Sequence, residues 1–489
     1  MQFDNSYARL PERFHTHLRP TPVSVPSLIR INESLATELG IDPAWLASRE
    51  GIAMMAGNQL PEGTEPIATV YAGHQFGHFN PQLGDGRAIL LGEVLNDQNE
   101  RFDLQLKGSG PTPYSRQGDG RAPLGPVLRE YLISEAMAAM GVPTSRTLGA
   151  VTSGDVVYRE QAEPGAVLTR VAKSHIRIGT FEFFAARQDT AAIRLLTEHV
   201  LTRHYPDHTG SDNPAFALLN SAIQSQASLV AQWQGLGFIH GVMNTDNMLL
   251  SGETIDYGPC AFMDTYHPNT VFSSIDNMGR YQYRNQPPIA HWNLAALGHT
   301  LISQLAQDEK DAMRLAQEAI DQFPVIYESA WYEMMNAKLG VPSNTDRSMS
   351  TDFLKLLEDQ KVDFTLAFRS LCDLAEGSTD VQDALALPDA TITQVFDPKE
   401  PRFEAWLSRW RNHLDDGQIL NMKQHNPLVI PRNHLVEAAI ASAVYEEDFE
   451  PFHLLLDAVT RPFESNTATP SFILPPRDDQ QVTRTFCGT

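Results

Sequence analysis

The stretch GFIHGVMNTDNMLLSGETIDYGPCAFMD, residues 237–264, decides the fold of this chain. It opens with an apolar pair at 238–239, which is typical of a short strand. A polar loop, 240–247, follows, and the apolar run at 248–250 predicts a second strand. Asp256 then stands directly before Tyr-Gly. This order brings amide and carboxylate side chains together between two short strands.

The order of these elements is typical of a protein-kinase active centre, with its catalytic loop, short hairpin and metal-binding Asp. Asn247 and Asp256 match the two residues that hold divalent metal in such a centre, because Mg²⁺ prefers hard oxygen ligands. When the kinase pattern HRDxxxxN is aligned from His240, Gly241 and Val242 replace the Arg and the catalytic Asp. The usual kinase base is therefore missing.

Asp246 is the carboxylate that remains in the loop, so it is the best candidate to accept a proton or to help hold a metal. An Asp-Asn pair between strands also forms ordinary Asx turns, and the pair alone does not separate the two interpretations. The presence of Asp256 downstream and Lys107 upstream favours the catalytic one.

Upstream segments predict the lysine and glutamate of a kinase-like site. The runs 88–95 and 101–107 are separated by NDQNE and predict a β-hairpin, whose alternation places Lys107 on the polar face of the second strand. Pro126 opens a predicted helix over 127–140, which carries Glu130 and stops at a glycine. We expect Glu130 to pair with Lys107, as the helix carboxylate of a kinase fixes its phosphate-binding lysine.

The pentapeptide GDGRA occurs twice, at 84–88 and at 118–122, in segments that resemble turns. Glycine-rich turns of this kind can present backbone N–H groups, and here the Arg87 guanidinium, to phosphate. The sequence contains no GxxxxGK[ST] motif, which disfavours the P-loop NTPase class.

The rest of the chain divides into a mixed front part and a mainly helical back part. Strands are predicted within 151–170, and Pro214 opens a long helix over 215–234. Three later segments also predict helices, at 291–306, 364–375 and 435–447. The expected fold class is α+β, with a kinase-like arrangement. Three regions are expected: an N-terminal lobe-like region with the nucleotide-binding hairpin and helix (1–165), a catalytic core (166–290) and a helical C-terminal region with a mobile tail (291–489).

Composition excludes several classes of protein. The chain has 489 residues, with 37 Lys and Arg against 60 Asp and Glu, and a net charge of −23 disfavours a general nucleic-acid binder. No run approaches the ~18 apolar residues that span a bilayer, and the opening MQFDNSYARL lacks the apolar core of a signal peptide. We expect a cytoplasmic protein without a membrane partner.

Three cysteines, Cys260, Cys372 and Cys487, lie far apart and form no CxxC pair, so neither a zinc site nor a disulfide framework is expected. Cys487 is third from the end of the chain. An exposed thiol there could be redox-active, although an inert terminal cysteine is the commoner case.

Several long motifs resemble one family: YAGHQFGHFNPQLGDGRAILLGE at 71–93, LQLKGSGPTPYSRQGDGRAPLGPVLREYLISEAM at 104–137, LTRVAKSHIRIGTFEFFA at 168–185, and the stretch at 237–264. They are similar to the selenoprotein O family, also called YdiU, from about Asn5 to the tail. The resemblance implies a protein-kinase-like fold once called a pseudokinase. It also implies transfer of AMP from ATP to Ser, Thr or Tyr hydroxyls of proteins, with the nucleotide held in a flipped orientation. UMP transfer from UTP with Mn²⁺ is attributed to bacterial relatives.

The resemblance assigns roles by motif. It places the proton acceptor on Asp246, the metal ligands on Asn247 and Asp256, and the partner of the lysine on Glu130. Nucleotide contacts are expected at Gly84, Gly86, Arg87, Lys107, Asp119, Gly120, Arg170 and Arg177. The redox-active residue of the family corresponds to Cys487, an ordinary cysteine here, which makes that role less secure than the nucleotide site.

The flipped orientation has a physical consequence. A γ-phosphate that points inward needs cations deep in the site, and Arg87, Arg170 and Arg177 would add guanidiniums to the lysine. Surface ion pairing would otherwise be the commoner fate of arginines in an acidic protein.

Three functions compete on the residues alone: protein nucleotidyl transfer, γ-phosphoryl transfer, and nucleotide binding by a catalytically dead scaffold. The missing HRD acid counts against the second, and the retained metal ligands and lysine count against the third. We expect Mg²⁺ or Mn²⁺ as cofactor, ATP or UTP as co-substrate, protein substrates with Ser, Thr or Tyr hydroxyls, and a monomer.

Overall fold

The computed structural model describes residues 1–377, 396, 400–464 and 470–486, which form a mixed α/β protein with a large antiparallel sheet. This confirms the mixed helix and strand content expected from the sequence. Among the helices in these ranges, none combines the length and apolar character needed to cross a membrane.

The strands concentrate in the first part of the chain. Their bounds are β1 Gln2–Phe3, β2 His15–His17, β3 Ser27–Ile31, β4 Ile67–Thr69, β5 Gly73–Gln75, β6 His78–Asn80, β7 Ala88–Leu95, β8 Arg101–Lys107, β9 Ala122–Pro123, β10 Arg146–Tyr158, β11 Ala162–Ala172, β12 Phe238–Ile239 and β13 Ala261–Phe262.

The helices dominate the second part. Their bounds are α1 Glu33–Glu38, α2 Pro43–Leu46, α3 Arg49–Met55, α4 Leu124–Ala139, α5 Ile178–Ala185, α6 Thr190–His204, α7 Pro214–Leu236, α8 Gln286–Leu305, α9 Glu309–Ile320, α10 Phe323–Leu339, α11 Ser348–Gln360, α12 Phe364–Ala375, α13 Pro401–Arg411, α14 Asp416–His425, α15 Asn433–Ala441, α16 Glu450–Val459 and α17 Pro470–Ile473.

The main sheet has nine strands, seven of them in the order β2-β4-β7-β8-β11-β10-β3, with β1 added to β7 and β9 added to β11. The predicted hairpin is confirmed as β7 and β8, with Ala88 opposite Lys107 and Leu95 opposite Arg101. The polar face of β8 is buried inside the protein, so its polar side chains must find partners there.

Helix α4 packs between the sheet and the C-terminal helices. It contacts β10 and β11 on one side and α15 and α16 on the other, where the rings of Tyr131 and Phe452 meet edge to face at 5.7 Å. Glu130 is buried on this helix. The predicted helix at 127–140 is confirmed, and it positions Glu130 beside the sheet.

Helix α7 confirms the predicted long helix and leads into the decisive stretch. Pro214 occupies its first turn, and the Asn213 side chain accepts a hydrogen bond from the backbone N–H of Phe216. Gly237 ends the helix with φ of 69°, a left-handed conformation that favours glycine. The fully buried Trp233 anchors its last turns by donating to Thr254 Oγ1 at 3.0 Å.

The predicted strand at 248–250 is wrong. This run forms one isolated bridge, between Leu249 and Arg177, and β12 pairs instead with β13. The backbone N–H of Ile178 donates to Met248 O at 2.9 Å, and that of Leu250 donates to Ile176 O at 2.9 Å. The apolar run is thus buried against the irregular segment that enters α5, and its pairing there is limited to this single bridge.

The later helices largely follow the sequence. The prediction at 364–375 coincides with α12, and that at 291–306 falls on α8. The helix predicted at 435–447 covers most of α15 and the π-helical turn, Ser442–Glu446, that continues α15. Cys260 and Cys372 are both buried, and neither forms a disulfide among the described residues. Within the tail, Thr485 is buried and donates to Pro259 O at 2.6 Å.

Candidate functional site

Two carboxylates and three cations form one charge group, the Lys107 cluster, made of Lys107, Glu130, Arg170, Arg177 and Asp256. All of these side chains are buried except that of Asp256, which is partly exposed. Lys107, at the end of β8, pairs with Glu130 on α4, as the sequence predicts. Arg170, on β11, donates from Nε to Glu130 Oε1 at 2.7 Å. Burial lowers the pKa of Lys107. Burial would raise the pKa of Glu130, but the positive charges of Arg170 and Lys107 outweigh burial and lower that pKa.

The carboxylate of Asp256 accepts hydrogen bonds from both Arg170 and Arg177. Arg170 Nη2 lies 2.9 Å from its Oδ1, and Arg177 Nη1 lies 2.7 Å from its Oδ2, while Lys107 Nζ is 4.0 Å away. Burial would raise the pKa of Asp256, but these cations hold it well below its usual value. The cluster therefore holds three cations against two carboxylates, a surplus that suits a polyphosphate.

The backbone of Asp256 is also unusual, with φ of 64°. A non-glycine residue rarely adopts this left-handed conformation, which is found at functional sites where the surrounding structure enforces it. Here the two arginines hold the carboxylate and Tyr257, which follows, is buried. The Asp-Tyr-Gly turn thus aims Asp256 into the Lys107 cluster.

The catalytic loop places Asp246 and Asn247 on a single 3-10 turn, Thr245–Asn247. Asp246 is buried, and burial raises its pKa to about 7. In the described part of the chain its Oδ1 has no hydrogen-bond partner, and its backbone carbonyl accepts from Arg177 Nη1 at 2.6 Å. Asn247 donates from Nδ2 to Val242 O at 2.9 Å, which leaves its Oδ1 to accept or to bind a cation.

The first GDGRA copy lies under the loop that follows β8. Gly84 has φ of 80°, and a Cβ there would approach the Tyr114 ring to 2.5 Å, so the turn requires glycine. Thr112 Oγ1 donates to Asp85 O at 2.6 Å, and Ser115 Oγ donates to Gly86 O. Arg87 lies near enough to Lys107 for its charge to lower the lysine pKa.

The second copy lies on the same loop, 108–121, nearer the surface. Asp119 is partly exposed and pairs with Arg159 at 2.9 Å. Gly120 has φ of 65°, and its carbonyl accepts from the backbone N–H of Gly110 at 3.1 Å. The loop begins directly after Lys107, and the partners of Asp119 and Gly120 in it are Arg159 and Gly110. Cys487 lies outside the described residues.

The donor set suits a metal that arrives with a nucleotide. In the described ranges, no group of three or more His, Cys, Asp or Glu side chains forms a metal site by itself. Mg²⁺ usually keeps several waters and binds through one or two protein carboxylates together with phosphate oxygens. The amide oxygen of Asn247 and the partly exposed carboxylate of Asp256 fit that kind of binding.

Sequence reasoning missed three polar partners of this site. Gln105 accepts from Arg170 Nη1 at 3.1 Å, and the Tyr71 ring lies 4.6 Å from the Arg177 guanidinium carbon. Gln75 Nε2 donates to Asp246 Oδ2 at 3.2 Å. Gln105 could have been found, since strand alternation places it on the face of β8 that carries Lys107. No spacing signal points to the other two.

The surface ion pairing considered for Arg170 and Arg177 is wrong, because both are buried and converge on Asp256. Buried arginines around a lysine and a glutamate, next to a loop that carries carboxylate and amide oxygens, have the charge to bind the phosphates of a nucleotide. The class of protein that this fold and site define is a nucleotide-dependent transferase.

Comparison with known proteins identifies the family. A family model described as protein adenylyltransferase SelO matches residues 1–460. Proteins named protein nucleotidyltransferase YdiU from Rhodopseudomonas palustris (strain BisB5) and Methylorubrum populi are each 52% identical over 495 residues, 100% of this chain and 99% of theirs. The protein of that name from Rhizobium meliloti is 50% identical over 497 residues, with the same coverage.

The chain belongs to the protein adenylyltransferase SelO family, and the resemblance in its motifs is confirmed. It is an enzyme, a protein nucleotidyltransferase that transfers AMP to proteins. A nucleoside triphosphate is accordingly its co-substrate.

Proposed function

We propose that the enzyme transfers AMP from ATP to Ser, Thr or Tyr hydroxyls of protein substrates and releases pyrophosphate. The observation that carries this proposal is the surplus of buried cations in the Lys107 cluster, where Lys107, Arg170 and Arg177 face two carboxylates. A kinase-like site needs one lysine for its phosphates. Two more guanidiniums supply the charge that inward-pointing β- and γ-phosphates require.

When the β- and γ-phosphates are bound by the Lys107 cluster, the α-phosphorus faces the catalytic loop. Asp246 accepts the proton of the incoming hydroxyl, and the hydroxyl oxygen forms a bond to the α-phosphorus. The bond from the α-phosphorus to the bridging oxygen breaks, and pyrophosphate leaves with the electron pair. Arg170 and Arg177 stabilise the charge that grows on the leaving group.

Asn247 and Asp256 would hold Mg²⁺ or Mn²⁺ in this arrangement. The ion, when bound, neutralises charge on the transferred and leaving phosphates. Gly84, Gly86 and Arg87 of the first GDGRA turn, and Asp119 and Gly120 of the second, would complete the nucleotide site. The support for this is that one loop connects the two turns next to Lys107.

The proposed organisation is protein-kinase-like, with regions 1–165, 166–290 and 291–489. The first boundary falls within β11, so the strand that completes the N-terminal sheet also delivers Arg170 to the core. γ-Phosphoryl transfer is disfavoured because Val242 stands where a kinase carries its base. UTP is the alternative nucleotide donor. The proposed oligomeric state is a monomer, and no role in nucleic-acid binding is proposed.

The leaving group tests this proposal. The enzyme is incubated with ATP, Mg²⁺ and a protein acceptor, and both pyrophosphate and orthophosphate are quantified together with the mass added to the acceptor. We expect one pyrophosphate released for each adenylyl group added to the acceptor. With Asp246→Asn we expect neither pyrophosphate nor adenylylated acceptor. Orthophosphate release with addition of phosphoryl groups would contradict nucleotidyl transfer.

A further inference from the structure

The small hairpin formed by β5 and β6 is attached to the catalytic loop. The backbone N–H of His74 donates to Thr245 Oγ1 at 2.7 Å, and Thr245 Oγ1 donates in turn to Glu182. The other oxygen of Glu182 lies 2.5 Å from His74 Nδ1. The backbone N–H of Phe76 lies 3.1 Å from Asn244 Oδ1. Backbone amides of the hairpin thus fix the two loop residues that precede Asp246.

The hairpin also contacts Asp246 itself. Between His74 and Phe76, Gln75 donates from Nε2 to Asp246 Oδ2 at 3.2 Å. Gly73 lies against the same carboxylate, and a Cβ at Gly73 would come within 2.5 Å of Oδ1. Oδ2 of Asp246 therefore has a fixed donor in Gln75, and Oδ1 can lie close to the hairpin backbone because Gly73 has no side chain.

The loop needs support from outside because its own sequence supplies little. Where a kinase has Arg and Asp, this loop has Gly241 and Val242, which offer no polar side chain to fix a base. A base must be held within a fraction of an ångström of its productive position, because small misplacements cost large factors in rate. The hairpin, some 170 residues upstream in the sequence, provides that restraint.

We infer that Gln75 is a positioning residue for Asp246, and that the hairpin holds this carboxylate in a fixed place in the catalytic loop. The inference rests on the proposed function, because it assumes that Asp246 accepts the proton. Gln75 contacts neither the phosphate-binding cations nor Asp256 in the hydrogen bonds described here. Its loss should therefore slow transfer and leave nucleotide binding unchanged.

The test compares variants of the full-length enzyme with one matched control. Gln75→Ala removes the donor, and Gln75→Glu keeps the volume but replaces the donor by an acceptor. Gly73→Ala displaces the carboxylate by steric contact, and because the backbone of Gly73 is outside the left-handed region, the substitution strains no backbone angle. The control is His78→Ala, because His78 is exposed and lies directly opposite Gln75 in the hairpin.

Each protein is assayed for transfer of α-labelled AMP to an acceptor protein, for ATP affinity by calorimetry and for melting temperature. We expect kcat to fall about 10–100-fold in both Gln75 variants and in Gly73→Ala. The Kd for ATP and the melting temperature should stay at wild-type values in both Gln75 variants, and His78→Ala should retain full activity.

Wild-type kcat in both Gln75 variants would overturn the inference, since the amide donor to Asp246 is lost in each of them. A parallel loss of ATP affinity in Gln75→Ala would also overturn it, because Gln75 would then support the nucleotide site. The two proposals fail separately: turnover retained in Asp246→Asn would refute the proposed base, whereas activity lost in Asp246→Asn but retained in Gln75→Ala and Gly73→Ala would refute only the positioning role.

Discussion

The Lys107 cluster and the catalytic loop both bury carboxylates, but they treat the negative charge in opposite ways. Asp256 is held by two arginines and stays ionised, with its pKa well below the usual value. Asp246 has one amide donor and an oxygen without a partner in the described residues, and burial raises its pKa to about 7. Asp256 in the Lys107 cluster has its partners in place before a ligand binds, whereas Asp246 in the catalytic loop gains a further partner only during the reaction.

This contrast separates binding from chemistry. A preformed surplus of cation can hold phosphates without reorganisation, because its partners are already fixed by buried hydrogen bonds. A carboxylate that is poorly satisfied in the free protein gains most when a proton or a cation arrives. Damage to the cluster should therefore affect folding and nucleotide affinity, whereas damage around Asp246 should affect turnover.

The largest effect is expected from Asp256→Ala, which breaks the complete region. Arg170 and Arg177 lose their shared partner and the proposed metal loses a ligand, so transfer of AMP should fall about 10³-fold. Steady-state assays at saturating Mg²⁺ measure this loss. Asp352→Ala is the control, because Asp352 pairs with Arg409 at the surface. Near wild-type turnover in Asp256→Ala would remove Asp256 from the site.

Glu130→Ala tests whether the cluster also stabilises the fold. It leaves Lys107 and Arg170 buried beside a vacated partner, and breaking a buried ion pair from one side costs about 3–5 kcal/mol. Denaturant unfolding measures the loss. Asp457→Ala removes the exposed partner of Arg30 and should cost less than about 1 kcal/mol. Equal costs for the two variants would show that the cluster gives the fold no special support.

Glu253 extends the comparison to a carboxylate that no arginine contacts in the described residues. It accepts from the backbone N–H of Lys173 at 2.9 Å and from Ser251 Oγ, and burial raises its pKa from 4.5 to about 7. The folded protein therefore binds this proton more tightly than the unfolded chain does. The contribution of Glu253 to the free energy of unfolding should fall by ~3 kcal/mol as pH rises from 4.5 to 7.

The control for this pH dependence is Glu253→Gln, which cannot ionise. Unfolding of both proteins in urea at several pH values measures the difference between them. The variant should become more stable than wild type as pH rises, and the gap should level off above pH 7. A gap that stays constant with pH would show that Glu253 titrates normally in the folded protein.

The smallest effect is expected from Asp119→Ala. The pair with Arg159 is partly exposed, so the unfolding free energy should change by less than about 1 kcal/mol. ATP affinity should fall severalfold, because the second GDGRA turn is proposed to contact the nucleotide. Calorimetry measures the affinity, and an unchanged Kd would place Asp119 outside the nucleotide site.

Local patterns in the sequence predicted much of this structure. Alternation gave the hairpin of β7 and β8, proline and glycine gave the ends of α7, and helical spacing gave α12. The pairing of Lys107 with Glu130 followed from their places on a strand and on the next helix. These features depend on neighbours in the chain, which periodicity reports.

Contacts between distant segments could not be predicted in the same way. Gln75 meets Asp246 across 171 positions, and Arg177 meets Asp256 across 79. The run at 248–250 has the apolar composition of a strand, but its partner is the irregular segment before α5. Hydrophobic pattern predicts that a segment is buried and leaves its neighbour undetermined.

Labelled ATP tests the central claim most directly, that buried arginines hold the outer phosphates and Asp246 serves the α-phosphorus. The enzyme is incubated with Mg²⁺, an acceptor protein and ATP labelled on either the α- or the γ-phosphate, and incorporation of label is followed in wild type and Asp246→Asn. The account predicts α-label in the acceptor, lost in Asp246→Asn with ATP affinity retained. Incorporation of γ-label, or α-label that persists in Asp246→Asn, would contradict it.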